Sequence, residues 1–418
     1  MTHTNAEGAG TGFPYDDAVP LWGPEFSEDP ATLYTRMRER FGPVAPVLLE
    51  GGLPAWLLLD HRVVHEVTSN PKMFARDTRR WNQYDAIPED WSLAPFVVWA
   101  PSMMFVEGAE HQRRAGAVGD ALDEIDRTEL AAVCARTADE LIDRFAGRGE
   151  ADLVAEYADQ LPLLVVAHMY GFPPGDVPAL VHDVHVTMDQ NKDKSNEAKA
   201  RMVARMQKLV LDKQERPGPD VPSRLIGHPA GLTVEEVITD LTVVLTAVQQ
   251  PCSNWIGNTL RLMLVDDDFS LTLQGGRSSA DHALNQVLWE DTPTQNYMGR
   301  FPVHDCVLAG QRVREGDMLI LGIAAANNDP RMRAARESDS GMANRAHMSF
   351  GHGEHGCPFP APELAEVIAK AAVEVLLDRL PDVRISCDPD ELVWQTSVWM
   401  RGLHALPVEF TPTRHTAS

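Results

Sequence analysis

The chain has few basic residues. Its 37 lysines and arginines face 61 aspartates and glutamates, which gives a formal net charge of −24 over 418 residues. Proteins that bind nucleic acid or an anionic membrane usually need a basic surface. The composition therefore argues against both kinds of partner, although a local basic patch for an acidic partner is still allowed.

Long apolar runs are also missing. No stretch approaches the roughly 20 apolar residues of a membrane span. Residues 1–12 are polar and rich in glycine, and they lack the basic start and apolar run of a secretory signal. We expect this segment to be disordered and the protein to be cytoplasmic.

Cysteine is scarce and its spacing shows no pairs. The five cysteines stand at positions 134, 252, 306, 357 and 387. An odd number without paired spacing fits a reducing compartment better than a disulfide framework. Four of them are expected to be plain thiols.

The pattern of apolar residues predicts a mainly α chain with a small β region. Apolar residues recur every three or four positions over 130–145, 153–170, 234–264 and 363–380. The third of these segments predicts a helix of about 45 Å, long enough to cross the molecule. Residues 42–60 predict a hairpin, 317–322 a strand and 329–346 an irregular loop. We interpret 13–418 as one domain.

One cysteine lies in a segment that is rich in glycine. The segment reads Phe350-Gly-His-Gly-Glu-His-Gly-Cys-Pro-Phe359 and precedes a predicted helix. Glycines permit a tight loop whose amides, with the start of a helix, stabilise a thiolate. Haem iron accepts such a ligand. A structural or merely reactive cysteine is one alternative, and a zinc site that uses His347, His352, His355 and Cys357 is another.

The segment resembles the cysteine signature of cytochromes P450, F-x-x-G-x-H/R-x-C-x-G. Phe350, Gly353, His355 and Cys357 match it, whereas Phe359 stands where the signature has its last glycine. Further similarity covers nearly the whole chain, in 151–162, in 171–174, in Asn327-Asn-Asp-Pro330 and in Arg401-Gly-Leu-His-Ala-Leu-Pro407. The resemblance implies the cytochrome P450 fold, with Cys357 as the axial ligand of haem b.

The central part of the long helix departs from the family pattern. Where the family has A-G-x-D/E-T, the chain has Ala247-Val-Gln-Gln-Pro251. Val248, Gln250 and Pro251 thus replace the glycine, the acid and the alcohol of a proton relay. Glutamine does not exchange a proton at neutral pH, and proline has no hydroxyl. We expect poor coupling of reductant to product and better turnover with peroxide, unless water at the Ala247 carbonyl replaces the relay.

The E-x-x-R pair of the family is also replaced. Gln286 and Trp289 fall on its two positions, as in a small atypical subset of actinobacterial members. A buried ion pair can be replaced at little net cost when both partners change. We expect the protein to hold haem without the pair, and we suggest Arg345 as a stacking partner of Trp289.

Several residues match positions that hold the haem. His111 and Arg300 match family residues that bind the propionates, and His355 could reach one of them. The arginine that the family has at position 115 is alanine, so Arg113 or Arg114 could substitute, although both could equally be surface charges. The signature also places Phe350 and Gly351 beside the cofactor.

The implied activity is monooxygenation of a hydrophobic small molecule, with electrons from ferredoxin and ferredoxin reductase. The resemblance places the substrate against Met103, Met104, Thr246, Gln295 and Val398. Apolar side chains at such positions could equally be plain core. A peroxide-driven or non-oxygenase haem enzyme and a non-catalytic haem-binding module are the alternatives.

Overall fold

The structure, a computed structural model, describes residues 13–187, 192–265, 278–338 and 344–413. The segment 1–12, which we predict to be disordered, lies outside these ranges. The fifteen α-helices of the described residues are α1 Pro24–Glu28, α2 Pro30–Phe41, α3 His61–Thr68, α4 Ala94–Val97, α5 Gly108–Asp123, α6 Arg127–Asp143, α7 Leu161–Met169, α8 Val177–Val186, α9 Lys192–Glu215, α10 Val221–Gly227, α11 Val234–Val265, α12 Ser278–Glu290, α13 Ile323–Asn327, α14 Pro330–Ser338 and α15 Ala361–Arg379. Mainly α structure with a small β region is therefore confirmed.

Helix α11 is the centre of the molecule. It spans 32 residues, and every residue from Cys252 to Leu260 is buried. A helix that is buried on all sides must be surrounded by other elements of the fold. Helices α5, α7, α9, α12 and α15 pack around it in the largest apolar core. The predicted long helix is confirmed.

The β region lies to one side of this core. Its strands are β1 Val19–Pro20, β2 Val44–Leu49, β3 Leu53–Leu58, β4 Phe74–Ala75, β5 Glu150–Asp152, β6 Tyr297–Pro302, β7 Cys306–Leu308, β8 Gln311–Val313, β9 Leu319–Leu321, β10 Arg384–Ile385 and β11 Pro407–Glu409. The main sheet has the order β1-β2-β3-β9-β6-β4. The predicted hairpin is β2 with β3, and its turn places Gly51 and Gly52 at φ of 85° and 77°. Such angles favour glycine.

Two predicted segments differ from the structure. Residues 153–170 are not one helix, because a π-helical turn, Val154–Ala158, precedes α7. Pro162 stands in the first turn of α7, where its missing amide hydrogen removes no helical hydrogen bond, so it favours a helix start at this point. The predicted loop 329–346 instead begins with α14, where Asp329 accepts a hydrogen bond from the Arg331 amide.

No helix among the described residues is long and apolar enough to cross a membrane.

Candidate active site

The loop that carries Cys357 is closed on itself and packed against the end of α3. The amide of Cys357 donates to the carbonyl of Phe350 at 2.8 Å. Gly351 and Gly353 adopt φ of 74° and 73°. A Cβ on Gly353 would lie 2.1 Å from the carbonyl oxygen of Thr68, so no larger residue fits there. The glycines therefore set the position of the cysteine.

The exposure of Cys357 and the pKa of its thiol together indicate that the thiol faces the interior of the protein. The residue is exposed to a water-sized probe, yet burial raises its pKa to about 11. Both observations hold when the thiol faces an internal space rather than bulk solvent. Thr246 and Ala247, in the middle of α11, are also exposed, although this helix lies at the centre of the molecule. We infer that the cysteine loop and α11 line one internal space.

Four basic side chains gather beside the cysteine loop: Arg76, His111, Arg300 and His355. The rings of His111 and His355 lie 3.9 Å apart between centroids. Burial, followed by the charges of Arg300 and Arg76, lowers the pKa of His111 to about 4. Burial also lowers the pKa of His355, and that of Arg300 to about 9. Burial thus disfavours the charged form of these three side chains, although Glu354 and Glu107 act on Arg300 in the opposite direction.

Arg76 is the least satisfied member of this cluster. It is 2% exposed, and its guanidinium lies 5.3 Å from the ring centroid of Phe105 and 5.4 Å from that of Tyr297. None of its three guanidinium nitrogens has a hydrogen-bond partner among the described residues. A buried cation without an anion costs several kcal/mol. This arrangement fits an anionic ligand.

The β-sheet places Arg76 beside Arg300. Strands β4 and β6 are antiparallel, with Phe74 opposite Pro302 and Ala75 opposite Phe301. Continuing this register brings position 76 opposite position 300. Glu107 lies nearby, but it accepts the main-chain amides of Arg76 and Asp77 at 2.5 and 2.7 Å. Sequence analysis missed Arg76, because nothing local to it reveals the strand pairing.

The two arginines suggested as substitutes at position 115 have other partners. Arg113 pairs with Glu236 near the surface. Arg114 is 1% exposed and donates to both carboxylate oxygens of Asp240, at 2.6 and 2.8 Å. Arg113 is therefore a surface charge, as the alternative held, whereas Arg114 is buried in an ion pair. Arg76 instead is the second arginine of the cluster.

A metal site is a poorer fit to these residues. Ligand atoms of His111, Glu354 and His355 lie within 4.8 Å of one another. Two buried arginines beside them would repel a cation. The zinc alternative from the sequence does not form among the described residues, because His352 stacks on His65 and His347 lies against Trp289.

The chain is similar over nearly its full length to known proteins. It is 29% identical over 405 residues to cytochrome P450 107B1 of Saccharopolyspora erythraea, covering 94% of this chain and 96% of that protein. It is also 29% identical to the cytochrome P450 monooxygenase PikC of Streptomyces venezuelae, covering 93% and 92%. No family model matches the chain.

Solved structures agree with this similarity. The testosterone-bound CYP154C4 of a Streptomyces species superimposes with a TM-score of 0.84 at 25% identity, over 94% of this chain and 98% of that one. The chain is a cytochrome P450. As such it is an oxidoreductase, and its cofactor is haem b.

The residues of this cytochrome P450 fit that cofactor. Haem offers an iron that accepts a thiolate and two propionates that need cationic partners. Cys357 presents an inward-facing thiol, and the basic cluster lies along the same loop through His355. The iron would deprotonate the thiol despite its raised pKa. The orphaned guanidinium of Arg76 is the kind of group that a propionate would satisfy.

Helix α11 continues through Pro251 without a break. Proline has no amide hydrogen, so the Ala247 carbonyl loses its usual donor four residues later. Val248 and Gln250 are half-buried on this stretch. The distal side of the site therefore has the amide side chain of Gln250 at the position of the family acid. One turn before Pro251, which stands at the position of the alcohol, it has the Ala247 carbonyl without its usual helical donor.

The E-x-x-R positions of this cytochrome P450 hold a neutral arrangement. Trp289 is 1% exposed, and its indole nitrogen donates to the Asn344 carbonyl at 3.1 Å. Its ring meets that of His347 edge to face, with centroids 5.7 Å apart. Gln286 donates to Glu290. Arg345 instead forms two hydrogen bonds with Glu366, so the suggested stacking on Trp289 is wrong.

The predicted substrate residues have mixed environments. Gln295 is 3% exposed, and its amide donates to the carbonyls of Ser397 and Met400, so it supports the C-terminal turn that contains Val398. Met103 donates its amide to Asp240 at 2.8 Å, which ties its loop to α11. Met104 is half-buried next to it. Sequence analysis did not identify Asp240, which holds both this loop and Arg114.

Proposed function

We propose that this cytochrome P450 is a haem-thiolate monooxygenase of an apolar small molecule, with Cys357 as the axial ligand. The observation that carries the proposal is that Cys357 is exposed although burial raises the pKa of its thiol to about 11, which supports a thiol that faces an internal space. Cys134 and Cys252 are buried, and Cys306 and Cys387 are half-buried. The haem would supply the insertion of oxygen into the substrate.

The basic cluster would hold the two haem propionates. Arg76 and Arg300 would provide charge-assisted hydrogen bonds, which are stronger than neutral ones. His111 and His355 would donate from neutral rings, since burial and the two arginines lower their pKa values. Arg76 takes the part that the resemblance gave to an arginine at position 115. Phe350 and Gly351 would shape the loop on the thiolate side.

The substrate class is inferred from the residues that would line the internal space. Met103, Met104 and Val248 are apolar, and Thr246 contributes a hydroxyl that is already bonded to the carbonyls of Thr242 and Val243. One relative is described as a vitamin D(3) 25-hydroxylase, and one neighbouring structure contains testosterone. Both molecules are largely apolar, which supports the same class here.

Electrons would come from a ferredoxin and its reductase, as the resemblance implies. The docking face would lie behind Cys357, where α3 packs against the cysteine loop through Thr68 and Gly353. His65 and His352 stack there with ring centroids 4.1 Å apart.

A peroxide-driven oxygenase is the second candidate. Gln250 and Pro251 favour it, because neither side chain transfers protons as a carboxyl and a hydroxyl do. A peroxide brings its own protons and electrons, so its reaction does not need a carboxyl and a hydroxyl that transfer protons.

The spectrum of the reduced protein with carbon monoxide tests the ligand assignment. Wild type and Cys252→Ser should show the red-shifted Soret band of a thiolate complex, and Cys357→Ser should lose it. Cys252 is a suitable control, because it is a buried thiol close enough for the charge of Cys357 to raise its pKa. An unchanged band in Cys357→Ser would refute the assignment.

A further inference from the structure

Helix α11 carries a row of polar side chains that leads away from the internal space. Thr246, Gln250 and Ser253 follow one another at intervals of four and three residues, so they share one face of the helix. Thr246 is exposed to the internal space, Gln250 is half-buried, and Ser253 is 2% exposed. The row therefore runs from the distal side of the site into the protein.

The buried end of this row meets a carboxyl group. The Ser253 hydroxyl donates a hydrogen bond to Asp159, which follows the π-helical turn Val154–Ala158. In this turn the Asp159 amide donates to the Val154 carbonyl at 2.9 Å. Such turns insert one extra residue and occur frequently at functional sites. The extra residue rotates the chain after it, and Asp159 is held against α11.

Asp159 is suited to carry a proton. Burial raises its pKa, although the Ser253 hydrogen bond and the charge of His185 lower it, and Asp152 raises it. The carboxyl therefore holds a proton closer to neutral pH than an ordinary aspartic acid does.

A histidine, His185, follows Asp159 at the buried end of the row of polar side chains. His185 on α8 is half-buried, and its Nε2 atom has no hydrogen-bond partner among the described residues. Its charge lowers the pKa of Asp159. An imidazole exchanges protons readily near neutral pH. His185 could thus collect protons from solvent and pass them to Asp159.

We propose that His185, Asp159 and Ser253 supply protons to the distal side of the site in place of the missing acid and alcohol. The inference rests on the proposed monooxygenase function. That reaction converts RH and O2 to ROH and H2O, and it consumes two protons together with two electrons from the ferredoxin. For each proton, Ser253 passes its hydroxyl hydrogen toward Gln250 and accepts one from Asp159, and His185 then reprotonates Asp159.

Water held by the Gln250 amide and the Ala247 carbonyl would complete the path. Both groups offer hydrogen bonds at the position of the lost relay. A purely structural role of Asp159, as a tie between its segment and α11, is the competing explanation. The variant Asp159→Asn separates the two, because it keeps the size and the hydrogen bond but cannot release a proton.

The first measurement needs no turnover. The infrared spectrum of the haem-loaded protein near neutral pH should contain a protonated carboxyl band that shifts in heavy water. Asp159→Asn should remove this band, and Ser253→Ala should move it because the hydrogen bond is lost. Glu156→Gln is the matched control, since Glu156 lies in the same turn but faces Arg148. A spectrum that Asp159→Asn leaves unchanged overturns the proposal.

The second measurement is the yield of dealkylated ethoxycoumarin per NADPH, with a surrogate ferredoxin and reductase, beside the same reaction driven by hydrogen peroxide. Asp159→Asn should lower the yield per NADPH by about a hundredfold, the lower end of what a positioned proton donor contributes. It should leave the peroxide-driven rate unchanged. Ser253→Thr should restore what Ser253→Ala loses, and Glu156→Gln should behave as wild type.

The other outcomes are distinguishable. Equal loss in both reactions for Asp159→Asn would assign a structural role and overturn the proposal. If wild type forms product in the peroxide-driven reaction but not in the NADPH-driven reaction, the proton path is overturned, whereas the assignment as a haem oxygenase stands. No product from wild type by either route would contradict the proposed function, and the proton path with it.

Discussion

Replacing Arg76 by methionine should have opposite effects on haem binding and on the haem-free protein. The guanidinium is buried between Phe105 and Tyr297 without a hydrogen-bond partner among the described residues. A hydrogen bond from a charged donor contributes about 1.5–3 kcal/mol. The loss of one or two such bonds to a propionate, about 3 kcal/mol in total, corresponds to roughly a hundredfold weaker haem binding.

The haem-free protein should become more stable with the same change. Replacement of a buried ion pair by apolar side chains is often neutral or stabilising by up to about 4 kcal/mol, and a buried cation without an anion has even less to lose. Methionine also keeps a favourable contact with the two aromatic rings. A merely structural arginine would give loss of stability in both states.

The assay has two parts. Transfer of haem to an excess of apomyoglobin gives the rate of haem loss, and urea unfolding of the haem-free protein gives its stability. Arg113→Met is the matched control, because Arg113 is paired with Glu236 away from the cluster. Equal rates of haem loss for Arg76→Met, Arg113→Met and wild type would refute the role of Arg76.

Two further predictions concern the region around Trp289. The double variant Gln286→Glu, Trp289→Arg should not raise the melting temperature, because the Asn344 carbonyl and His347 are arranged for an indole; a clear rise would contradict this account. Burial lowers the pKa of His347 to about 4, so the unfolded chain binds its proton first, and stability should fall as the pH drops from about 6.5 toward about 4. His347→Phe should reduce this loss in urea unfolding at a series of pH values, whereas an identical pH dependence would show that His347 does not titrate as described.

Local patterns were sufficient for the parts of the molecule that local forces determine. The glycines of the cysteine loop and the long apolar period of α11 are both visible in a short window of sequence. Helix α14 was missed because its sequence is mostly polar, and its start depends on the cap by Asp329. The break before α7 was predictable from Pro162, but the apolar period masked it.

The basic cluster shows where sequence reasoning stops. Arg113 and Arg114 were considered because they lie next to the expected position, but Glu236 and Asp240 on α11 determine where they point. Arg76 joins the cluster only because β4 pairs with β6. Such pairings between distant segments are set by tertiary packing.

The contrast between the acidic chain and its basic interior affects how the cofactor arrives. The net charge of −24 repels the two carboxylates of free haem at long range, whereas Arg76 and Arg300 attract them once inside. Salt screens exposed charges far more than buried ones. Haem uptake by the folded protein should therefore be slow in dilute buffer and faster in salt, with little change in retention afterwards. Protein made while haem is plentiful will be more completely loaded than protein that receives haem after folding.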